Sequence, residues 1–122
     1  MIAAFHRDRL ADGMQSTPVD EFLSGLAGTL EAMQQGMFDQ AASHRDENVV
    51  TEVKTLDEMQ AYFEKEQGFV RAKWCEDAAT EETLKEFGVT IRCLPYDQSG
   101  TEGACVITGK PATTDAIFGK SY

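Results

Sequence analysis

No stretch of this 122-residue chain approaches the roughly 20 consecutive apolar residues that a membrane-spanning helix requires, so no such helix is expected. The opening MIAAFHRDRL is charged at Arg7, Asp8 and Arg9 and holds no apolar core or cleavage pattern, which argues against a secretory signal there. Cysteine is scarce. Cys75, Cys93 and Cys105 are odd in number, widely spaced and free of any Cys-x-x-Cys, which points to a reduced, cytosolic setting rather than a disulfide framework. Cations are outnumbered: 11 Lys and Arg face 21 Asp and Glu, for a net charge of -10. That balance weighs against a chain that grips a phosphate backbone by itself, because displacing counterions needs clustered positive charge. There is no Gly-rich phosphate loop (GLAG carries no following Lys-Ser/Thr), no Gly-x-Ser-x-Gly elbow and no His-Glu-x-x-His. No fixed-period repeat or low-complexity segment is visible.

What is present suits one packed domain: 42% of the residues are apolar and 26% charged. IAAFH (2–6) reads as a short strand, followed by an Asp12-Gly13 turn. Thr17-Pro18 then starts a helix, with Asp20 and Glu21 favoured at the positive end of its dipole. Val19, Phe22, Leu23, Leu26, Leu30, Met33, Met37 and Ala41 follow at steps of three and four, a single stripe on a long helix reaching Arg45. Gly25, Gly28 and Gly36 each cost that helix about 1 kcal/mol against Ala, so its persistence depends on tertiary packing.

Beyond it, NVVTEV (48–53) is a strand candidate. Thr55-Leu56-Asp57-Glu58 has capping-box spacing and opens a short helix whose inner face is Met59, Tyr62 and Phe63. FVRAKW (69–74) is a strand with Phe69, Arg71 and Lys73 on one side and Val70, Ala72 and Trp74 on the other. A helix over 80–87 closes at Gly88, and VTIRCLP (89–95) is a strand stopped by Pro95. After the polar loop YDQSGTEG, residues 104–108 and 115–122 are expected to pair as a terminal hairpin. The fold class is therefore α+β: a small mixed β-sheet with short crossover helices and a terminal hairpin, preceded by one long amphipathic helix.

The cysteines invite two kinds of chemistry. Cys75 follows Trp74 and precedes a helix, as an activated thiol would. Residue 78 is Ala, however, so no resolving thiol is adjacent, and Glu76, Asp77, Glu81 and Glu82 surround Cys75 with the wrong charge for a thiolate. A monothiol redox enzyme is thus a distant reading. Zinc usually takes four Cys or His ligands in close pairs. Here Cys75 and Cys105 stand alone, with Thr80 and Thr108 where partners are expected, and His6 and His44 lie far off. Cys93 reads as a small buried apolar residue.

GFVRAKWC, TEETLKEFGVTIRCLPYDQ, GACVITGKPA and the ending FGKSY occur in fixed order and spacing. Together they closely resemble the C-terminal region of prolyl-tRNA synthetases of the archaeal/eukaryotic-like type. That family shows G-F-V-x-A-x-W-C-G, I-R-C-I-P, G-K-C-V-x-C-G-K-P-A and a terminal F-A-K-A-Y or F-G-R-S-Y. The stretch from His6 to Val49 resembles the end of the anticodon-binding domain.

The resemblance implies a division at residue 47: a last strand and connecting helix over 1–47, then the C-terminal, zinc-binding-like domain over 48–122. It implies a non-catalytic part of a homodimeric cytoplasmic class II ligase that uses ATP and Mg to attach proline to tRNA(Pro). The partners would be the catalytic and anticodon-binding domains of that parent, with tRNA met through the full enzyme and no membrane involved. The family's four zinc-ligand cysteines fall on Cys75, Thr80, Cys105 and Thr108, so the ion is expected to be lost and the fragment to carry no cofactor. The family's Gly after the first cysteine is Glu76. The resemblance also places the Tyr122 carboxylate near the parent active site. Arg71, Lys73, Arg92, Lys110 and Lys120 are the plausible contacts for tRNA or for acidic patches of the parent. The competing reading is a free-standing acidic protein-interaction module of the same fold.

Overall fold

The computed structural model describes residues 1–121. The chain divides into two units, Met1–Asp46 and Glu47–Tyr122. The first opens with β1 (Ile2–Phe5) and β2 (Met14–Thr17), antiparallel with Ile2 opposite Thr17 and Phe5 opposite Met14. The intervening turn includes one 3-10 turn at Leu10–Asp12. β2 is absent from the sequence reading because MQST has no apolar alternation; pairing with β1 makes it a strand. α1 (Val19–Glu47) starts where Phe22 N–H donates to the Pro18 carbonyl at 2.9 Å, and it outlasts the expected end at Arg45 by two residues.

The apolar stripe of α1 is there, yet no residue of this 29-residue helix is buried. Phe22 and Met33 are half-covered. Leu23, Leu30 and Met37 stand 60%, 57% and 54% exposed.

The second unit begins with β3 (Val49–Val50), shorter than the strand expected over 48–53, and α2 (Leu56–Lys65). The capping box forms as the spacing predicts. Glu58 N–H donates to Thr55 Oγ1 at 3.3 Å, and Glu58 Oε2 accepts from the backbone of Thr55 and, at 2.8 Å, Lys54. Replacing Thr55 with Ala is expected to cost about 1 kcal/mol in a urea titration, and Thr55→Ser almost nothing. Met59 and Phe63 are buried one turn apart. Gly68 then leads into β4 (Phe69–Trp74). A Cβ at Gly68 would lie 2.6 Å from the Asn48 carbonyl oxygen, so no other residue lets the chain pass there unmoved.

α3 (Ala79–Lys85) follows, and Gly88, at φ 72, reverses the chain into β5 (Val89–Cys93). β6 (Gly103–Ala104) and β7 (Pro111–Ala112) pair antiparallel, and β8 (Thr114–Lys120) is the last strand. The sheet order is β3-β4-β8-β5. β3 runs parallel to β4, as a helical crossover through α2 requires. β8 lies antiparallel between β4 and β5, so those two strands run parallel without touching.

The terminal hairpin expected from 104–108 and 115–122 is thus corrected. The hairpin is the two-residue β6–β7 pair, residues 106–108 form its turn, and β8 leaves it to become a central strand. The alternation in β8 explains the choice: Ala116 and Phe118 are fully buried on the face shared with Val70, Ala72 and Val89, in the core cluster that also contains Leu84 of α3. A fully buried central strand needs such a face, which an exposed hairpin arm does not.

Cys93 is exposed, not buried. A bulge lets Ile91 face Phe118 while Cys93 faces Ile117, so Arg92 is the extra residue and Cys93 is turned to the opposite face from Ile91.

Candidate functional site

Two constellations lie at opposite ends of the chemistry this unit offers. The first is the place where Cys75, Cys105 and Thr108 meet. The backbone builds it: Val106 N–H donates to the Lys73 carbonyl at 2.9 Å, which pins the β6–β7 turn to the end of β4. Cys105 N–H donates to Lys110 O at 2.7 Å, and Gly109 N–H to Cys105 O at 2.8 Å, closing a tight knuckle. The Thr108 hydroxyl donates to Cys75 Sγ at 3.7 Å. Cys105 is 1% exposed. Burial pushes its thiol up, but the Thr108 hydroxyl, the backbone N–H groups of Thr108 and Ile107, and the Cys75 thiol all hydrogen-bond its sulfur and bring it down to about 7.

Thr80 belongs to a different set of bonds. Its hydroxyl accepts from Trp74 Nε1 at 2.8 Å and donates to the Asp77 carbonyl at 2.5 Å. Asp77 Oδ1 in turn accepts from Ala79 N–H at the start of α3. The four family positions therefore supply two thiols and two neutral hydroxyls, one of them engaged elsewhere. Among the described residues, no group of three or more His, Cys, Asp or Glu side chains converges in a way that could hold a metal ion. This donor set does not fit a closed tetrahedral zinc site, which takes thiolates and imidazoles. Glu76, where the family has Gly, takes φ 57, the left-handed conformation that glycine tolerates best, and accepts a short hydrogen bond from Thr114. Tyr122 lies outside the described residues.

The second constellation is the sheet face that carries Arg71 and Lys73. In the β4–β8 register Lys73 is opposite Asp115. Lys73 Nζ reaches Asp115 Oδ1 at 2.7 Å, and Arg71 Nη2 reaches Oδ2 at 3.1 Å. Ser99 N–H donates to the same Oδ2 at 2.7 Å, Lys73 also donates to the Thr113 carbonyl and Ser99 Oγ, and Arg71 extends to Asp97. Gln98 completes the clasp, bonding the backbone of Asp115 with both ends of its amide. Asp115 is only 5% exposed. Burial raises its pKa, but the hydrogen bonds from Lys73, Ser99 and Arg71 outweigh it and hold the carboxyl well below the ordinary carboxylate range.

The two cations expected to reach outward thus find an internal partner. Arg92 and Lys120, the other strand cations, donate to the backbone carbonyls of Lys120 and Phe63. Asp115, Gln98 and Ser99 escape a reading by local pattern. An acid set in an apolar strand, against two cations at i and i+2 of another strand, is the signal that would have found the pair.

The family model described as "Prolyl-tRNA synthetase, C-terminal" matches residues 56–122. The chain is 47% identical to a proline–tRNA ligase of Protochlamydia amoebophila, over 95% of this chain and 24% of that one. It is 45% identical to a proline–tRNA ligase of Paramagnetospirillum magneticum, over 99% of this chain and 25% of that one. Among solved structures it resembles a prolyl-tRNA synthetase from Cryptosporidium parvum, complexed with L-proline and AMP. The TM-score is 0.80 at 27% identity, covering 98% of this chain and 25% of that one. The chain therefore spans about a quarter of the length of the relatives it matches. Among the described residues no helix is long and apolar enough to cross a membrane.

Proposed function

The chain belongs to the prolyl-tRNA synthetase C-terminal family, and on that premise we propose that it is the metal-free bracing end of a proline–tRNA ligase. The parent activates proline with ATP and Mg and attaches it to tRNA(Pro) in the cytoplasm; these residues carry none of that chemistry and act by packing. The observation that carries the reading is α1, a long helix with an apolar stripe and no buried residue. Such a stripe is stable in water only at a cost and calls for a covering surface. The missing three quarters of the relatives' length supply that surface, as the catalytic and anticodon-binding domains. The likeness to a eukaryotic synthetase supports placement in the archaeal/eukaryotic-like type, with tRNA and the homodimer partner met through the parent. The loss of zinc rests on the mismatched donors at Thr80 and Thr108.

Hydrogen exchange tests the bracing role. In the isolated chain the amides along Phe22–Met37 should exchange fast, as expected for a helix with few tertiary contacts. In the full-length ligase their protection should rise at least about tenfold. Equal protection in the two would end this reading, as would proline-dependent ATP–pyrophosphate exchange by the isolated chain.

A further inference from the structure

We propose that Cys75 and Cys105 are an oxidisable dithiol that closes into a disulfide when it meets a hydroperoxide, stapling the end of β4 to the β6–β7 turn. The backbone already brings the two residues together, since Val106 is bonded to Lys73 and each cysteine lies one or two residues from that bond. The Thr108 hydroxyl, three residues on from Cys105 in the same turn, donates to Cys75 Sγ at 3.7 Å, and Cys75 is among the groups that hold the Cys105 thiol down. A reduced pair of thiols held this close, without a metal to occupy them, has short travel to a covalent bond. This rests on the metal-free reading above.

Accessibility orders the steps. Cys75 is half-exposed and Cys105 is buried behind it, so peroxide meets Cys75 first. With hydrogen peroxide, the Cys75 sulfur attacks one peroxide oxygen, the O–O bond breaks, and the leaving oxygen takes the Cys75 proton and departs as water, leaving a sulfenic acid; an alkyl hydroperoxide releases an alcohol instead. Cys105 then attacks the Cys75 sulfur, the S–OH bond breaks, and a second water leaves with the Cys105 proton. Two thiols lose two electrons in total, and one peroxide gains them. Cys93, exposed on the outer side of the β5 bulge, has no such neighbour and serves as an internal control.

The test uses the chain after dialysis against EDTA, with its metal content before dialysis measured separately; stoichiometric zinc there would count against the metal-free reading alone. Treated with one equivalent of hydrogen peroxide, the dialysed protein should fall from three titratable thiols to one. Its intact mass should drop by about 2 Da, and digestion should yield a peptide linking Cys75 to Cys105. Dithiothreitol should restore all three thiols. Cys93→Ser should still close the link, while Cys75→Ser, at a half-exposed position that tolerates the change, should not. Mass gain at Cys75 with Cys105 still free, or oxidation confined to Cys93-linked dimers, would overturn the proposal.

Discussion

Replacing Asp115 with Ala is expected to lower the stability of the second unit by about 3 kcal/mol, a fall in Tm of roughly 12–24 °C. The carboxylate answers Lys73 and Arg71 at 2.7 and 3.1 Å and receives Ser99 N–H. Removing it leaves two cations side by side on β4, both largely withdrawn from water and without the carboxylate between them. The same substitution removes the Ser99 anchor of the 95–101 loop, which is then held to residue 115 only by the backbone bonds of Gln98. Asp115→Asn should keep the loop's shape but lose the charge, at a smaller cost. The pH dependence separates the two effects. Because the folded Asp115 is held below its unfolded value, its contribution is complete above about pH 4 and fades as pH falls through the lower, folded range. Urea midpoints of the parent chain should therefore drop between pH 5 and pH 2.5 more steeply than those of Asp115→Asn. Parallel curves would show that the carboxylate contributes nothing through its charge.

If the chain holds no metal, as proposed above, the double substitution Thr80→Cys with Thr108→Cys is expected to let it bind a single zinc ion. Cys75 and Cys105 remain, and the knuckle that positions Cys105 is intact, with Gly109 and Lys110 bonded across it. The added thiols supply the two missing anionic donors. At a zinc concentration about 1,000-fold above Kd the gain is about 4 kcal/mol. Without zinc the double variant should be about 1 kcal/mol less stable than the parent, since Trp74 loses its hydroxyl acceptor at residue 80. Adding Glu76→Gly removes the left-handed strain beside Cys75 and should tighten binding further. Metal analysis and the difference in Tm with and without EDTA read the result. Failure of the variant to bind zinc would mean that residue 80 is held too far from the cysteines to ligate.

The helices were legible in the residues because their signals are local. Thr55 and Glu58 announce α2, Pro18 and the three-four stripe announce α1, and Gly88 closes the turn after α3. The sides of β4 were also legible, since alternation assigns Val70 and Ala72 inward without knowing the partner. Pairing was not. Nothing near Thr114–Lys120 says that it inserts between β4 and β5, because that choice is made by Ala116 and Phe118 finding a core assembled from distant segments. The missed Asp115 network follows from the same ignorance, as its three charged residues lie on two strands. Cys93 was misplaced because a bulge at Arg92 resets the alternation, and no residue type marks it. At the candidate metal positions the residue types were plain, but the engagement of Thr80 with Trp74 and Asp77 required coordinates.

The position of β8 has a consequence for how the polypeptide is made. During synthesis from the N-terminus, β4 emerges with only the two-residue β3 to join it, and β5, which pairs with β8 alone among the described strands, emerges with none. The long edge of β4 and the whole of β5 must wait, unpaired, until the ribosome has supplied the segment Thr114–Lys120. Long-range pairing of this kind is slow and leaves hydrogen-bonding edges open meanwhile. A nascent chain stalled before Thr114 is thus a species that chaperones should hold and that a released chain should not resemble.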